Sequence, residues 1–253
     1  MSALPKPVTP KERFKLTDHW GWVEGLYLAG NDDGIALRLL WGEDYEPESR
    51  KLWRRLCSKA DIALDIGAHT GVYSLDAWKA GAKEVISIEP FPVNYARLMM
   101  NLRHSGFNTS GVMMVAAGDE NSRTVIGSGN PNFYCAAGIE LGFCHPRMQA
   151  FPVIALRTDD LLKEPDHHRI NVIKIDTEKT VGRVLTGMPD ILSYKPDLIL
   201  ECIEDGLTEI LKPLGYSFYR IHEKTGLHAV DRLSPDDPVD MQSPNRFATV
   251  RNL

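Results

Sequence analysis

Apolar and polar positions divide most of this chain into short buried runs separated by amphipathic stretches. Ile62, Ala63 and Leu64 read as a buried strand closed by Asp65. From Val72 to Ala80, Val72, Leu75 and Ala77–Trp78 share one side, which predicts a helix that Gly81 stops. Val85, Ile86 and Ile88 form the next strand, ending at Glu89. Upstream, Leu52, Trp53 and Leu56 mark a helix over 48–59. Downstream, Leu98, Met99 and Leu102 mark one over 93–105, stopped by Gly106. Strands are expected at Val112 to Ala116, Phe151 to Leu156, Asn171 to Ile175, Asp197 to Cys202, Tyr216 to Ile221 and Phe247 to Val250, with a hairpin starting at Arg123 to Ile126. Helices are expected over 180–192 and 206–211. This alternation predicts an α/β fold: a Rossmann-like, doubly wound, mostly parallel seven-stranded sheet with helices on both faces.

The two ends of the pattern are less regular. Residues 1–13 hold three prolines and read as a loose tail. Residues 14–42, with Trp20, Trp22, Tyr27 and Trp41 among glycines, read as short strands. Their aromatics fit core filling, or else a lid or dimer contact. The chain therefore divides into an extension, 1–42, and a main domain, 43–253. Residues 127–150 lack periodicity and read as a long loop.

Composition narrows the function. The 253 residues, 43% of them apolar, suffice for one domain with a substantial core. A net charge of −5 argues against a nucleic-acid partner. No apolar run reaches the ~18 residues that would argue for a membrane span. The N-terminus lacks the apolar core of a secretory signal, and the scattered Cys57, Cys135, Cys144 and Cys202 fit reduced thiols, so a cytoplasmic location is expected. Cys135 and Cys144-His145 share a loop, but their spacing fits no familiar zinc pattern, and no metal is expected.

The chemistry concentrates at predicted strand ends. Gly67-Ala68-His69-Thr70-Gly71 follows the first strand without the middle glycine of a dinucleotide fingerprint. Asp65 and Glu89, 24 positions apart, place two carboxylates at neighbouring strand ends. Negative charge there repels a pyrophosphate but suits a cationic ligand with an amine and a ribose diol, such as S-adenosyl-L-methionine (SAM). A plain βαβ unit, its glycines serving only tight packing, is the alternative. Cofactor contacts are thus expected from Asp65, Gly67, Ala68, His69, Thr70, Gly71, Tyr73, Glu89 and Pro90, with Ala116 and Ala117 offering a flat surface to adenine.

Asp176 and Glu178 are two apart just past a buried strand, so an extended chain would aim both the same way. Adjacent carboxylates raise one pKa and leave a base for an attacking hydroxyl. An ion-paired structural cluster is the competing reading. His69 is a second candidate base. Lys174 is expected to pair with these acids or hold an acidic substrate. Glu201, at the next strand end, is a substrate-side candidate.

Several segments resemble the FkbM-type family of class I SAM-dependent methyltransferases. Beyond residues 61–92, these are Tyr45-Glu46-Pro47-Glu48; Glu89-Pro90-Phe91-Pro92 with Leu98 and Asn101; and Val172-Ile173-Lys174-Ile175-Asp176-Thr177-Glu178 with Val184-Leu185-Thr186-Gly187. The resemblance covers roughly 35–220. It departs where the family glycine after the glutamate is Lys179, followed by Thr180-Val181. It implies SAM as methyl donor, S-adenosylhomocysteine (SAH) as product, and O-methylation of a small-molecule acceptor such as a sugar or polyketide, with Tyr45 and Glu46 on the substrate side. N- or C-methylation and non-catalytic SAM binding stand as alternatives, and a homodimer is compatible with an exposed Trp20/Trp22 surface.

Overall fold

The computed structural model describes residues 20–23, 25–29, 33–128, 137–138, 149–201, 204–234 and 242–252. In chain order the elements are β1 (Trp20–Val23), β2 (Leu26–Ala29), α1 (Gly34–Leu40), α2 (Pro47–Cys57), β3 (Ile62–Ile66), α3 (Val72–Ala80), β4 (Glu84–Ile88) and α4 (Pro92–His104). Then come β5 (Val112–Met113), β6 (Ala116–Gly118), β7 (Ser122–Ser128), β8 (Ala137–Gly138), β9 (Gln149–Arg157), α5 (Glu164–His167), β10 (Ile170–Ile175), α6 (Val181–Thr186) and α7 (Pro189–Ser193). The last are β11 (Asp197–Glu201), α8 (Leu207–Leu211), β12 (Ser217–His222), β13 (Gly226–Val230) and β14 (Asn245–Thr249). The tail at 1–13, Cys135, Cys144, His145, Cys202 and most of the 127–150 loop lie outside the described residues.

Eight strands form the main sheet in the order β13-β12-β14-β11-β10-β3-β4-β5. From β11 to β5 the neighbours are parallel, whereas β14, β12 and β13 add antiparallel pairs. The expected mostly parallel core is present, with β13 added as a hairpin partner at one edge. Parallel strands covered on both faces are mostly apolar, and every residue of β3 is buried, Asp65 included. Alternate residues feed different cores. Ile62, Leu64 and Ile66 join Val181, Val184 and Leu185 of α6 on one face. Ala63 joins Leu52 and Trp53 of α2 and Ala77 of α3 on the other. Strand order reverses between β3 and β10, which opens a crevice at their carboxyl ends.

Three expectations are corrected. Residues 34–40, read as strand, are helical: the Asp33 carboxylate accepts the Ile35 and Ala36 amides at 2.9 and 3.1 Å, capping α1. The strand read at Val112 to Ala116 divides, β5 staying in the main sheet while β6 pairs with β9 in a second, four-stranded sheet, β6-β9-β7-β8. The helix read over 180–192 breaks into α6 and α7. Met188 leaves helical geometry (φ −130, ψ 44), and Pro189 begins the next helix without an amide to donate. Gly187 at that break sits where a Cβ would lie 1.7 Å from the Gly118 carbonyl oxygen.

The hairpin of β1 and β2 and helix α1 cover α3 and α4, with Leu26, Leu28, Ala36 and Leu39 against Leu75, Leu98 and Leu102. Trp22 of that hairpin remains 55% exposed. Helices α2 and α3 are tied by an ion pair. Arg50 Nε lies 2.7 Å from Asp76 Oδ2, and Arg54 Nη1 lies 3.5 Å from Oδ1 of the same fully buried carboxylate. Removing one partner of such a pair strands the other charge. Asp76→Ala is therefore expected to lower unfolding stability by about 3 kcal/mol in a urea titration; a change below about 1 kcal/mol would contradict this role.

Candidate functional site

The turn that follows β3 is held against the ends of two neighbouring strands. Gly67 and Ala68 both donate their amides to the Ile88 carbonyl of β4, at 2.9 and 3.0 Å. On the other side the Asp176 amide donates to the Ile66 carbonyl at 2.9 Å. Gly67 has φ +81, and a Cβ there would lie 1.7 Å from the Asp176 carbonyl oxygen. Its backbone conformation and its contact with β10 both demand glycine. His69 is left-handed as well, with φ 51.

Glu89 is the centre of this arrangement. One carboxylate oxygen accepts the His69 amide at 2.8 Å and the other accepts the Phe91 amide at 2.7 Å. The side chain is buried, and burial pushes its pKa up to about 8 despite those two donors. Asp65 lies deeper, accepting the Ser74 hydroxyl at 2.5 Å, and burial pushes it up to about 6.

The cleft above these groups has about 780 Å³ of empty space, its open mouth included. Gly67, His69, Glu89, Pro90, Ala116 and Ala117 line it, as expected, together with Tyr45, Asp176, Glu178 and Glu201. Sequence reasoning missed Ile35, Ile66, Ile88, Asn94, Ile126, Thr177 and Thr180, which complete the wall. Asn94 sits at helical spacing one turn before Leu98, a signal that it belongs to the inner face of α4. Ile35 and Ile126 come from distant elements and carry no local signal.

Other expected residues stand behind the wall. Thr70 is buried, its hydroxyl bonded to the Asp33 carboxylate and its carbonyl accepting Asn101 Nδ2 at 2.8 Å. Thr70 thus secures the turn to α1 and α4. Gly71, φ +93, precedes α3 and packs against Leu98. Asp65, Ala68, Tyr73 and Lys174 line a smaller recess beneath the turn. The Tyr73 hydroxyl bonds to the Glu46 carboxylate, which also accepts Asn245 Nδ2 at 2.8 Å.

The expected pairing of Asp176 with Glu178 is corrected. The chain leaves extended geometry after β10, with Glu178 at φ 44 and Lys179 at φ 68, so alternation does not align the two acids. Asp176 is instead joined to Glu201 through Lys174. Its Nζ lies 3.3 Å from Asp176 Oδ2 and 3.4 Å from Glu201 Oε2, and 5.0 Å from the Tyr73 ring centroid. Burial works against the Lys174 charge, but Asp176, Glu201 and Glu46 outweigh it and hold its pKa above the usual value. Burial also opposes the Asp176 charge, yet Lys174 and a hydrogen bond from Glu201 keep its carboxyl below the usual range. Burial and then Asp176 drive Glu201 well above that range. The two acids titrate as a coupled pair, with Asp176 favoured as the ionised member.

The cleft lining contains four acids, Glu89, Asp176, Glu178 and Glu201, and no lysine or arginine among the described residues. Glu89 keeps lone pairs for two further donors, and Ile66, Ile88, Ala116, Ala117 and Ile126 supply an apolar wall. This donor set fits a cation bearing a diol and a flat ring system. Among the described residues, no group of three or more His, Cys, Asp or Glu is arranged to hold a metal, and no helix is long and apolar enough to cross a membrane.

The family described as Methyltransferase FkbM domain matches residues 65–211. No curated protein matches the chain. Among solved structures, Methyltransferase FkbM from Methylobacillus flagellatus KT is similar at 17% identity and a TM-score of 0.46, over 85% of this chain and 52% of that one. This chain thus spans about half the length of that relative. A SAM-dependent methyltransferase from Agrobacterium tumefaciens aligns at 13% identity and TM-score 0.49, over 93% and 71% of the two chains. TYW2 of M. jannaschii, in complex with AdoMet, aligns at 13% identity and TM-score 0.47, over 92% and 84%.

Two outcomes follow from the geometry. Lys179 occupies a left-handed position, which costs a non-glycine residue about 1–2 kcal/mol, while glycine returns about 0.5–1 kcal/mol of backbone entropy. Lys179→Gly is expected to stabilise the protein by about 0.5–1 kcal/mol in urea denaturation, and a lowered midpoint would contradict this strain. The pKa of Glu89 is raised in the folded state from 4.5 to about 8, so its contribution is complete below about pH 4.5 and is lost as pH rises through 8. Between pH 5 and 9, ligand-free protein should lose at least about 1.4 kcal/mol more stability than Glu89→Gln. Parallel stability profiles for the two would refute the assignment.

Proposed function

The chain belongs to the methyltransferase FkbM domain family, and we propose that it binds SAM in the strand-end cleft and methylates a hydroxyl of a small molecule. The observation that carries this reading is a cleft whose lining, among the described residues, has four acids and no basic side chain but His69, which suits a cation better than a phosphate. When bound, SAM supplies an electrophilic methyl group on a sulfonium. Glu89 would hold the ribose hydroxyls, each of its oxygens already fixed by one backbone amide. Ala116, Ala117 and Ile126 would take the adenine.

The protein's own part is placement and proton control. Placing an acceptor oxygen in line with the methyl supplies much of the acceleration. The acceptor hydroxyl surrenders its proton as its oxygen bonds to the methyl carbon, and the broken carbon–sulfur pair stays on sulfur. Asp176, which lines the cleft beside Lys174 and Glu201, would receive that proton as one of a coupled pair of acids. Lys174 holds both carboxyls in register and keeps Asp176 ionised. Glu178 and His69 also line the cleft.

Calorimetry tests the donor reading directly. SAM and SAH should bind at tens of micromolar or tighter, ATP should not bind comparably, and Glu89→Ala should weaken SAM by about tenfold or more. ATP binding as tightly as SAM would sink the proposal. On an acceptor that turns over, Asp176→Asn should lower kcat by about 100-fold with SAM affinity retained.

A further inference from the structure

A second cavity of about 1200 Å³ adjoins the donor cleft, and the two share Tyr45 and Glu201 as a common wall. Its floor is the segment Asp44-Tyr45-Glu46-Pro47 that leads into α2, and its far side is built by Glu223, Lys224, Gln242 and Pro244. Among the described residues, Tyr45, Pro47 and Pro244 line it beside charged side chains. The carboxylates Asp44, Glu46, Glu201 and Glu223 outnumber the two basic groups, Arg38 and Lys224.

These acids are built in. Glu46 is buried and oriented by the Tyr73 hydroxyl and Asn245. Glu223 accepts the Glu48 amide at 2.8 Å and so fixes the N-terminus of α2 against the β12–β13 turn. Arg38 also lines the cavity, 5.9 Å from the Tyr45 ring centroid, and is engaged by Glu43 at 3.7 Å and by the Asp44 carbonyl, to which it donates at 3.0 Å. Among the described residues lining this cavity, only Glu201 falls inside the family match at 65–211. The donor cleft shows the converse, since only Ile35 and Tyr45 of its lining fall outside that match.

From this we infer that the second cavity is the acceptor site, and that the acceptor is a polyhydroxylated molecule carrying a protonated amine. The inference rests on the donor reading above. A ligand in this cavity meets the donor cleft at Glu201, beside Asp176, where a reacting hydroxyl is needed. Its other hydroxyls find acceptor oxygens along the walls, and its ammonium finds the excess of carboxylates. A flat apolar acceptor would desolvate the exposed Asp44 and leave the acids' remaining acceptor positions unused. A carboxylated acceptor would meet like charge.

Saturation-transfer NMR on the full chain with SAH present, using glucosamine, glucose and glucuronate as separate probes, tests this. Glucosamine should give the strongest signal and glucuronate the weakest. Asp44→Lys, at an exposed position, should weaken glucosamine about fivefold, and Lys224→Glu should strengthen it by a similar factor. SAH affinity, measured by calorimetry on the same variants, should stay within about twofold. Equal signals from the three sugars, or a glucosamine signal indifferent to both substitutions while SAH binds, would overturn the inference alone. Failure of the wild-type protein to bind SAH would overturn the donor reading and this inference with it.

Discussion

Glycine at position 67 lets the turn after β3 press against the Asp176 carbonyl while its amide reaches Ile88, and the site depends on that close approach. Three strand ends are thereby drawn to one place. The His69 amide then meets Glu89, the Asp176 amide meets Ile66, and the turn's far end is held by Thr70 to α1 and α4. A side chain at position 67 would part β3 from β10, and with them Asp65 from Lys174, which lie opposite each other across the strand pair.

That convergence brings carboxylates together away from water. Burial raises Glu89 and Asp65 toward neutrality, and Lys174 reaches into the cluster, where it serves Asp176 and Glu201. The ligand-free site therefore holds acids kept from ionising, which a positively charged, hydroxyl-bearing ligand would favour in their charged form. The same economy explains why Asp176 and Glu201 titrate as a coupled pair: two like charges beside a single ammonium favour one ionised and one neutral acid.

The parallel core was readable because strands covered on both faces are mostly apolar, as Ile62 to Ile66 and Ile170 to Ile175 are apart from Asp65, Asn171 and Lys174. Glu89 and Gly67 were readable because local spacing constrains a strand–turn–helix unit. What escaped was long-range. Glu201 becomes the partner of Asp176 only because β11 lies beside β10, whereas Glu178, its neighbour in sequence, is turned aside by two left-handed residues. Ile35 reaches the cleft from a helix whose cap, Asp33, sits in a stretch that glycine punctuation made look like strand. Lys179 was visible as a departure from the family pattern; its φ of 68 explains why glycine suits that position.

The central claim is that a buried, protonated Glu89 becomes an ionised acceptor of ligand hydroxyls. Counting protons during SAM binding tests it most directly. Calorimetry at about pH 6.5, in two buffers of different ionisation enthalpy, gives the number of protons exchanged. The account predicts release of about one proton per SAM bound, with release absent in Glu89→Gln. Binding of SAM with no proton exchanged, or with uptake, would contradict it.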